Sequence, residues 1–179
     1  KERGNANGWY VYHSSLGNTK CVYLDSTSGQ ATVSIWNNTT PAATVVSFNG
    51  GAEVNRSGGT YVAYCFSEIA GYSKFGSYTG NGSATGPTVT TGFKPAFVMV
   101  KSASTGGWVM LDTTRDTVNP AQKYLYAQSS AAEAGGSVIA DINSDGFQLK
   151  NAWTDVNGNG TTYIYMAFKD TREYAFWLD

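Results

Sequence analysis

Few residues in this sequence have the type and spacing to do chemistry, so each can be weighed singly. There is one histidine, His13. It rules out a multi-histidine metal centre and leaves room for a single Ser-His-Asp arrangement, for which no Gly-x-Ser-x-Gly turn is present to expose a nucleophile. Carboxylates are scattered. The closest pairing is Asp112 and Asp116, yet Arg115 between them suits an ion pair better than a glycosidase dyad. Asp141 to Gly146 reads Asp-Ile-Asn-Ser-Asp-Gly, the opening of a calcium loop, but Ala152 stands where the twelfth-position glutamate belongs. Ser144-Asp145-Gly146 also makes an ordinary hairpin turn before the strand-like GFQLKN. The glycine-rich run Gly80 to Gly86 precedes no helix and so cannot present backbone N–H groups to a phosphate. The reading is therefore of no catalytic residue, no metal ligand and no cofactor.

Two tryptophan loops are better candidates for binding than for catalysis. Trp36 is followed by Asn37-Asn38-Thr39-Thr40, and Trp153 by Thr154-Asp155. An exposed indole gives a sugar ring a flat apolar face, while an amide or carboxylate holds its hydroxyls, so Trp36, Asn38, Trp153 and Asp155 form the expected glycan-binding set. The competing reading is that both indoles fold back as plugs at strand ends. A net charge of −1 with no Lys/Arg cluster argues against nucleic acid as a partner, and no apolar run approaches the ~20 residues that would span a bilayer. Cys21 and Cys65 are expected to be buried thiols rather than a disulfide.

What must position such loops is a sheet framework. Gly, Ser, Thr and Asn supply 71 of the 179 residues, and aromatics reach 14%, a composition of stiff apolar strands separated by turns. Strands are predicted to start near Trp9, Cys21, Ala31, Thr44, Thr60, Lys74, Phe93, Gly107, Gln122, Ser137, Gly146, Thr161 and Glu173, with no convincing helical periodicity between them. Closely spaced strands without intervening helices predict an all-β fold: an antiparallel β-sandwich, jelly-roll or lectin-like.

The sequence also repeats. VNRSGGTYVAYCF at residues 54 to 66 and VNGNGTTYIYMAF at 156 to 168 share six of thirteen positions at an offset of 102. Trp9 matches Trp108, Phe48 matches Phe147, and Tyr72 and Phe75 match Tyr174 and Trp177. The reading is of two pseudo-repeats packed as one unit, 1–71 being a first copy without its opening strands and 72–179 a second copy with a C-terminal strand. Both tyrosine strands, around Tyr61 and Tyr163, are expected to have neighbours on each edge. The tail, Glu173 to Asp179, is expected to add a strand to the first copy, in this chain or in a neighbouring subunit.

The segments WYVYHSSLGNTKCVYLDST, SGGTYVAYCFSEIAGYSKFGSYTGNGSATGP and GFKPAFVMVKSASTGGWVMLDTTRDTVN resemble a repeated β-rich domain of tail-fibre and other virion-surface proteins of tailed phages, especially cyanophages. The resemblance implies a non-enzymatic structural or receptor-binding module on the virion surface, in a tail fibre, spike or capsid decoration. Its partners would be other virion subunits, in a homo-oligomer, and a host-surface glycan. The alternative is a carbohydrate-binding module of a secreted bacterial glycan-processing enzyme.

Overall fold

The computed structural model describes residues 1–169 and 171. The chain is all-β, and the described residues form eleven strands, two single-turn helices and three antiparallel sheets.

The central sheet has five strands in the order β4 (Ser73–Thr79), β11 (Thr162–Lys169), β6 (Pro95–Ser102), β7 (Trp108–Asp112) and β8 (Leu125–Tyr126). β11 lies between β4 and β6, with Met166 opposite both Phe75 and Met99. Its sequence, TYIYMAFK, is apolar on both faces, as a strand covered on both sides requires. On one face Tyr163, Tyr165 and Ala167 join Val98, Val100, Val109 and Leu111 to form the main core. That core is closed from above by a three-stranded sheet, β5 (Thr88–Thr90), β10 (Gly146–Leu149) and β9 (Ala140–Asn143), which contributes Val89, Phe147, Leu149 and Ile142.

The opposite face of the central sheet carries Trp108 and Ile164, and it is covered by the first third of the chain. β1 (Tyr10–Val11), β2 (Lys20–Tyr23) and β3 (Ala31–Thr32) form the third sheet, whose Val22 packs onto that pair. Strand alternation then turns Cys21 the other way, into a small cluster with Ile35 and Trp36. The layers are tied by hydrogen bonds: Trp108 Nε1 donates to Tyr23 O at 2.7 Å, and Gln30 N to Ala103 O at 2.8 Å.

The two similar segments adopt the same local geometry. α1 (Ala52–Asn55) and α2 (Thr154–Asn157) lie 102 residues apart. Tyr61 Oη donates to Ala52 O and accepts from Arg56 N, while Tyr163 Oη donates to Thr154 O and accepts from Gly158 N. Each tyrosine thus clamps the helical turn that precedes it. Arg3 N donates to Thr60 O just as Ala103 N donates to Thr162 O.

Beyond these residues the segments diverge. The strand expected from Thr60 is not formed: Tyr61 makes one isolated bridge, to Glu2, and the chain from Ala63 to Phe66 has no strand neighbour among the described residues. Tyr61 therefore lacks the two-sided pairing that Tyr163 has. The reason is physical: a strand needs a second backbone beside it, and among the described residues only Lys1 to Arg3 reach this one. The expected strand near Thr44 is irregular, and Val45 and Phe48 are exposed. β5 was not anticipated, because Thr-Val-Thr is too short to register as a run. The expected strand at Glu173 to Asp179 lies outside the described residues.

Candidate functional site

Around Trp153 the fold gathers three aromatic rings and a carboxylate. Asn151 Oδ1 accepts the Trp153 N–H at 3.1 Å, setting a side-chain turn that places the indole at the N-terminal boundary of α2. Tyr124 and Tyr126 come from the other side, on the segment carrying β8. Their ring centroids lie 4.8 Å and 6.2 Å from Trp153 and 5.3 Å from each other. The rings tilt and meet edge to face, the arrangement their quadrupoles favour. All three are half-buried, with their inner surfaces against the main core.

Asp155 completes the group. Its Oδ2 accepts the Tyr126 hydroxyl at 2.6 Å, and burial, reinforced by this bond, holds the phenol above its ordinary range as a neutral donor. Oδ1 accepts no hydrogen bond among the described residues. Nearby, Lys101 is fully buried, its Nζ donating to Ser102 O at 2.7 Å and Ser104 O at 3.1 Å. Burial lowers its pKa to about 8, against the opposing pull of Asp155.

The other two expected residues do not join this group. Trp36 is 5% exposed, packed against Tyr12 and Phe48, with its Nε1 donating to Lys20 O at 2.8 Å. It is a core plug, so the expectation of an exposed indole there is corrected. Packing the indole with Cys21 and Ile35 removes its apolar surface from water. Asn38 is exposed in a left-handed conformation, its carbonyl held by Asn18 Nδ2 at 3.0 Å. It serves the turn. Tyr124 and Tyr126 were missed from the sequence; the signal available was the Tyr-Leu-Tyr spacing, which puts both rings on one strand face.

The remaining candidates are bound up in structure. Asp112 is paired with Arg115 at 2.7 Å, and Arg115 also holds Glu133 at 2.6 Å. Asp116 is buried and accepts backbone N–H groups from Gln122 at 2.6 Å, Lys123 at 2.8 Å and Val118 at 3.2 Å. Burial alone would raise both carboxyls, but the backbone bonds and neighbouring cations outweigh it and hold both below the usual carboxylate range. His13 is 8% exposed; its Nδ1 accepts from Ser15 N at 3.2 Å, so Nε2 carries the hydrogen and donates to Tyr165 O at 3.1 Å. Asp141 pairs with Lys150 at 3.2 Å, in the hairpin between β9 and β10. Among the described residues no group of three or more His, Cys, Asp or Glu side chains is placed to hold a metal ion. Cys21 is buried and Cys65 exposed, and both are free thiols. The expectation of two buried thiols therefore holds at Cys21 only, because nothing described covers the segment around Cys65.

Fold and site together describe a layered antiparallel β-protein with an aromatic surface cluster flanked by one carboxylate. Residues 1–171 match the family described as "Domain of unknown function (DUF7483)", and the chain belongs to that family. No curated protein and no solved structure matches it.

Proposed function

We propose that this chain is a non-enzymatic carbohydrate-binding module, with the Trp153–Tyr124–Tyr126 cluster as its sugar platform and Asp155 as its hydroxyl acceptor. One observation carries the reading: three half-buried rings held rigidly beside a carboxylate whose Oδ1 has no hydrogen-bond partner among the described residues. Rigid rings lose little entropy on binding, and a neutral surface imposes no preference for charged ligands. Asp112 and Asp116, the nearest candidate for a glycosidase pair, are engaged by Arg115 and by backbone N–H groups, which supports the non-enzymatic reading over that pair.

The setting we propose is a virion-surface protein of a tailed phage, a tail fibre, spike or capsid decoration built from two pseudo-repeats and assembled as a homo-oligomer. Weak sugar sites there gain strength by repetition. The sequence resemblance motivates this setting. The test is titration of the purified chain against a panel of neutral oligosaccharides, alongside Trp153→Ala and Asp155→Asn. Binding by the wild type, weakened at least about tenfold in both variants at unchanged fold, is the expected result. Binding that both variants retain would remove the site, and hydrolysis of any sugar in the panel would remove the non-enzymatic reading.

A further inference from the structure

Asp155 gives the aromatic platform a hydrogen-bond acceptor, and the chain sets a donor beside the same ring. Gln128 stands two residues after Tyr126 and is half-buried. Its Oε1 accepts the Trp108 N–H at 2.8 Å, which fixes the amide end for end and leaves Nε2 as the other arm. Nε2 has no hydrogen-bond partner among the described residues, and neither has Asp155 Oδ1. Every buried side-chain nitrogen and oxygen among the described residues does have one, so both of these atoms reach solvent.

Two glycines bring the donor and the acceptor to the platform. At Gly107 a Cβ would lie 2.2 Å from the Tyr126 ring and 3.0 Å from Gln128 Nε2, and at Gly106 one would lie 3.1 Å from Asp155 Oδ1. The two free polar atoms therefore sit beside consecutive residues, with the Tyr126 ring laid on the same backbone. That backbone is held in place. Lys101 Nζ donates to Ser102 O and Ser104 O, Ser104 N to Ser102 Oγ at 3.0 Å, and Gly106 N to Thr27 O at 2.9 Å. The similar segment near the N-terminus separates the mounting from the donor. There Trp9 N donates to Asp25 Oδ1 at 3.0 Å, and Asp25 follows Tyr23 as Gln128 follows Tyr126. A carboxylate thus fills the mounting role, but it has no hydrogen to offer a ligand. The backbone bond does not call for glutamine; a donor does.

We propose, resting on the platform reading above, that Gln128 is the donor of the sugar site: one hydroxyl of a neutral pyranoside accepts from Gln128 Nε2 while a second donates to Asp155 Oδ1. The rings fix the plane of the sugar, and the two polar atoms fix its rotation in that plane. Each reads a different property of a hydroxyl, one its lone pair and the other its hydrogen.

The experiment titrates wild type, Gln128→Glu, Asp155→Asn and Trp153→Ala with the methyl glycosides of glucopyranose, galactopyranose and mannopyranose and with their monodeoxyfluoro analogues, in which one hydroxyl keeps an acceptor and loses its hydrogen. Gln128→Glu retains the oxygen that holds Trp108 N and removes only the donor. In the wild type, fluorine at one position should weaken binding by at least about tenfold, marking the hydroxyl that donates to Asp155, and at another should change it by less than about twofold, marking the one that accepts from Gln128. Gln128→Glu should then weaken the second analogue by at least about tenfold and the parent glycoside less, because a hydroxyl can turn and donate to the new carboxylate. Unchanged binding in Gln128→Glu, with losses in Trp153→Ala and Asp155→Asn, would overturn the role of Gln128 and leave the platform standing. An equal loss for the parent and every analogue would also overturn it, as a structural effect alone. A wild type that binds none of the three glycosides, or binding that Trp153→Ala and Asp155→Asn both retain, would remove the platform and Gln128 with it.

Discussion

At the scale of single residues, the same side chain does the same job in two surroundings, which makes its energy measurable. Tyr163 is fully buried, and its hydroxyl satisfies both Thr154 O and Gly158 N. Tyr163→Phe strands a donor and an acceptor away from water and should cost about 2 kcal/mol, whereas Tyr61→Phe, at a half-exposed position, should cost less than about 1 kcal/mol. Chemical denaturation of both variants checks the difference, and equal losses would refute the burial argument. His13 gives a pH signature. Burial holds its folded pKa below the ordinary 6.5, its bond to Tyr165 O opposing only in part. Above that value both states are neutral and the contribution is intact. As the pH falls through it, the unfolded chain gains a proton that the folded chain resists, so stability declines until the folded pKa is passed. Unfolding free energies between about pH 7.5 and pH 5 should therefore fall with acidity, and the slope should shrink in His13→Gln. An unchanged slope would assign the effect to other groups.

The elements show what pattern reading reaches and where it stops. Strands β4, β6, β7, β10 and β11 were legible because alternation and β-branched or aromatic content mark a half- or fully-buried pleat regardless of context. The segment Thr60 to Phe66 resembles part of β11 in sequence but lacks its neighbours among the described residues, since pairing is a property of two backbones and the sequence of one cannot supply it. The binding cluster was half legible for a similar reason: Trp153 and Asp155 stand in one turn, but Tyr124 and Tyr126 meet them only through β8 and the register of β7. Register also depends on single glycines. Gly146, at φ 155°, opens β10 opposite Thr90, and a Cβ there would lie 2.0 Å from Val89 O. The obstacle is backbone, so Gly146→Ala must push β5 off its partner. A loss of about 2 kcal/mol or more is expected, with exchange accelerated at the β5 amides first. Wild-type stability in this variant would mean that β5 contributes nothing to the closure of the main core.

For the whole molecule, the question is whether the first third of the chain is an appendage or a layer. Residues 1–71 leave Ala63 to Phe66 without a strand neighbour among the described residues, yet they cover the outer face of the central sheet, where Val22 is wholly buried against Trp108 and Ile164. His13 bonds to a β11 carbonyl across the same boundary, and Trp108 Nε1 to that of Tyr23. Polar bonds and apolar area thus fall on one seam. An element that buries a neighbour's apolar face cannot unfold without exposing that face, so the layers should melt together. We expect one calorimetric transition with equal calorimetric and van't Hoff enthalpies. Trp108→Ala should lower the stability of the whole by about 3–5 kcal/mol, through the cavity and the Tyr23 carbonyl left without its donor. Because the loss is global, exchange at β9 and β10, which do not touch Trp108, should accelerate by the same free energy as exchange at β1 and β2. Two resolved transitions, or acceleration confined to β1 to β3, would show instead that the first third detaches on its own while the two sheets around the main core stay folded.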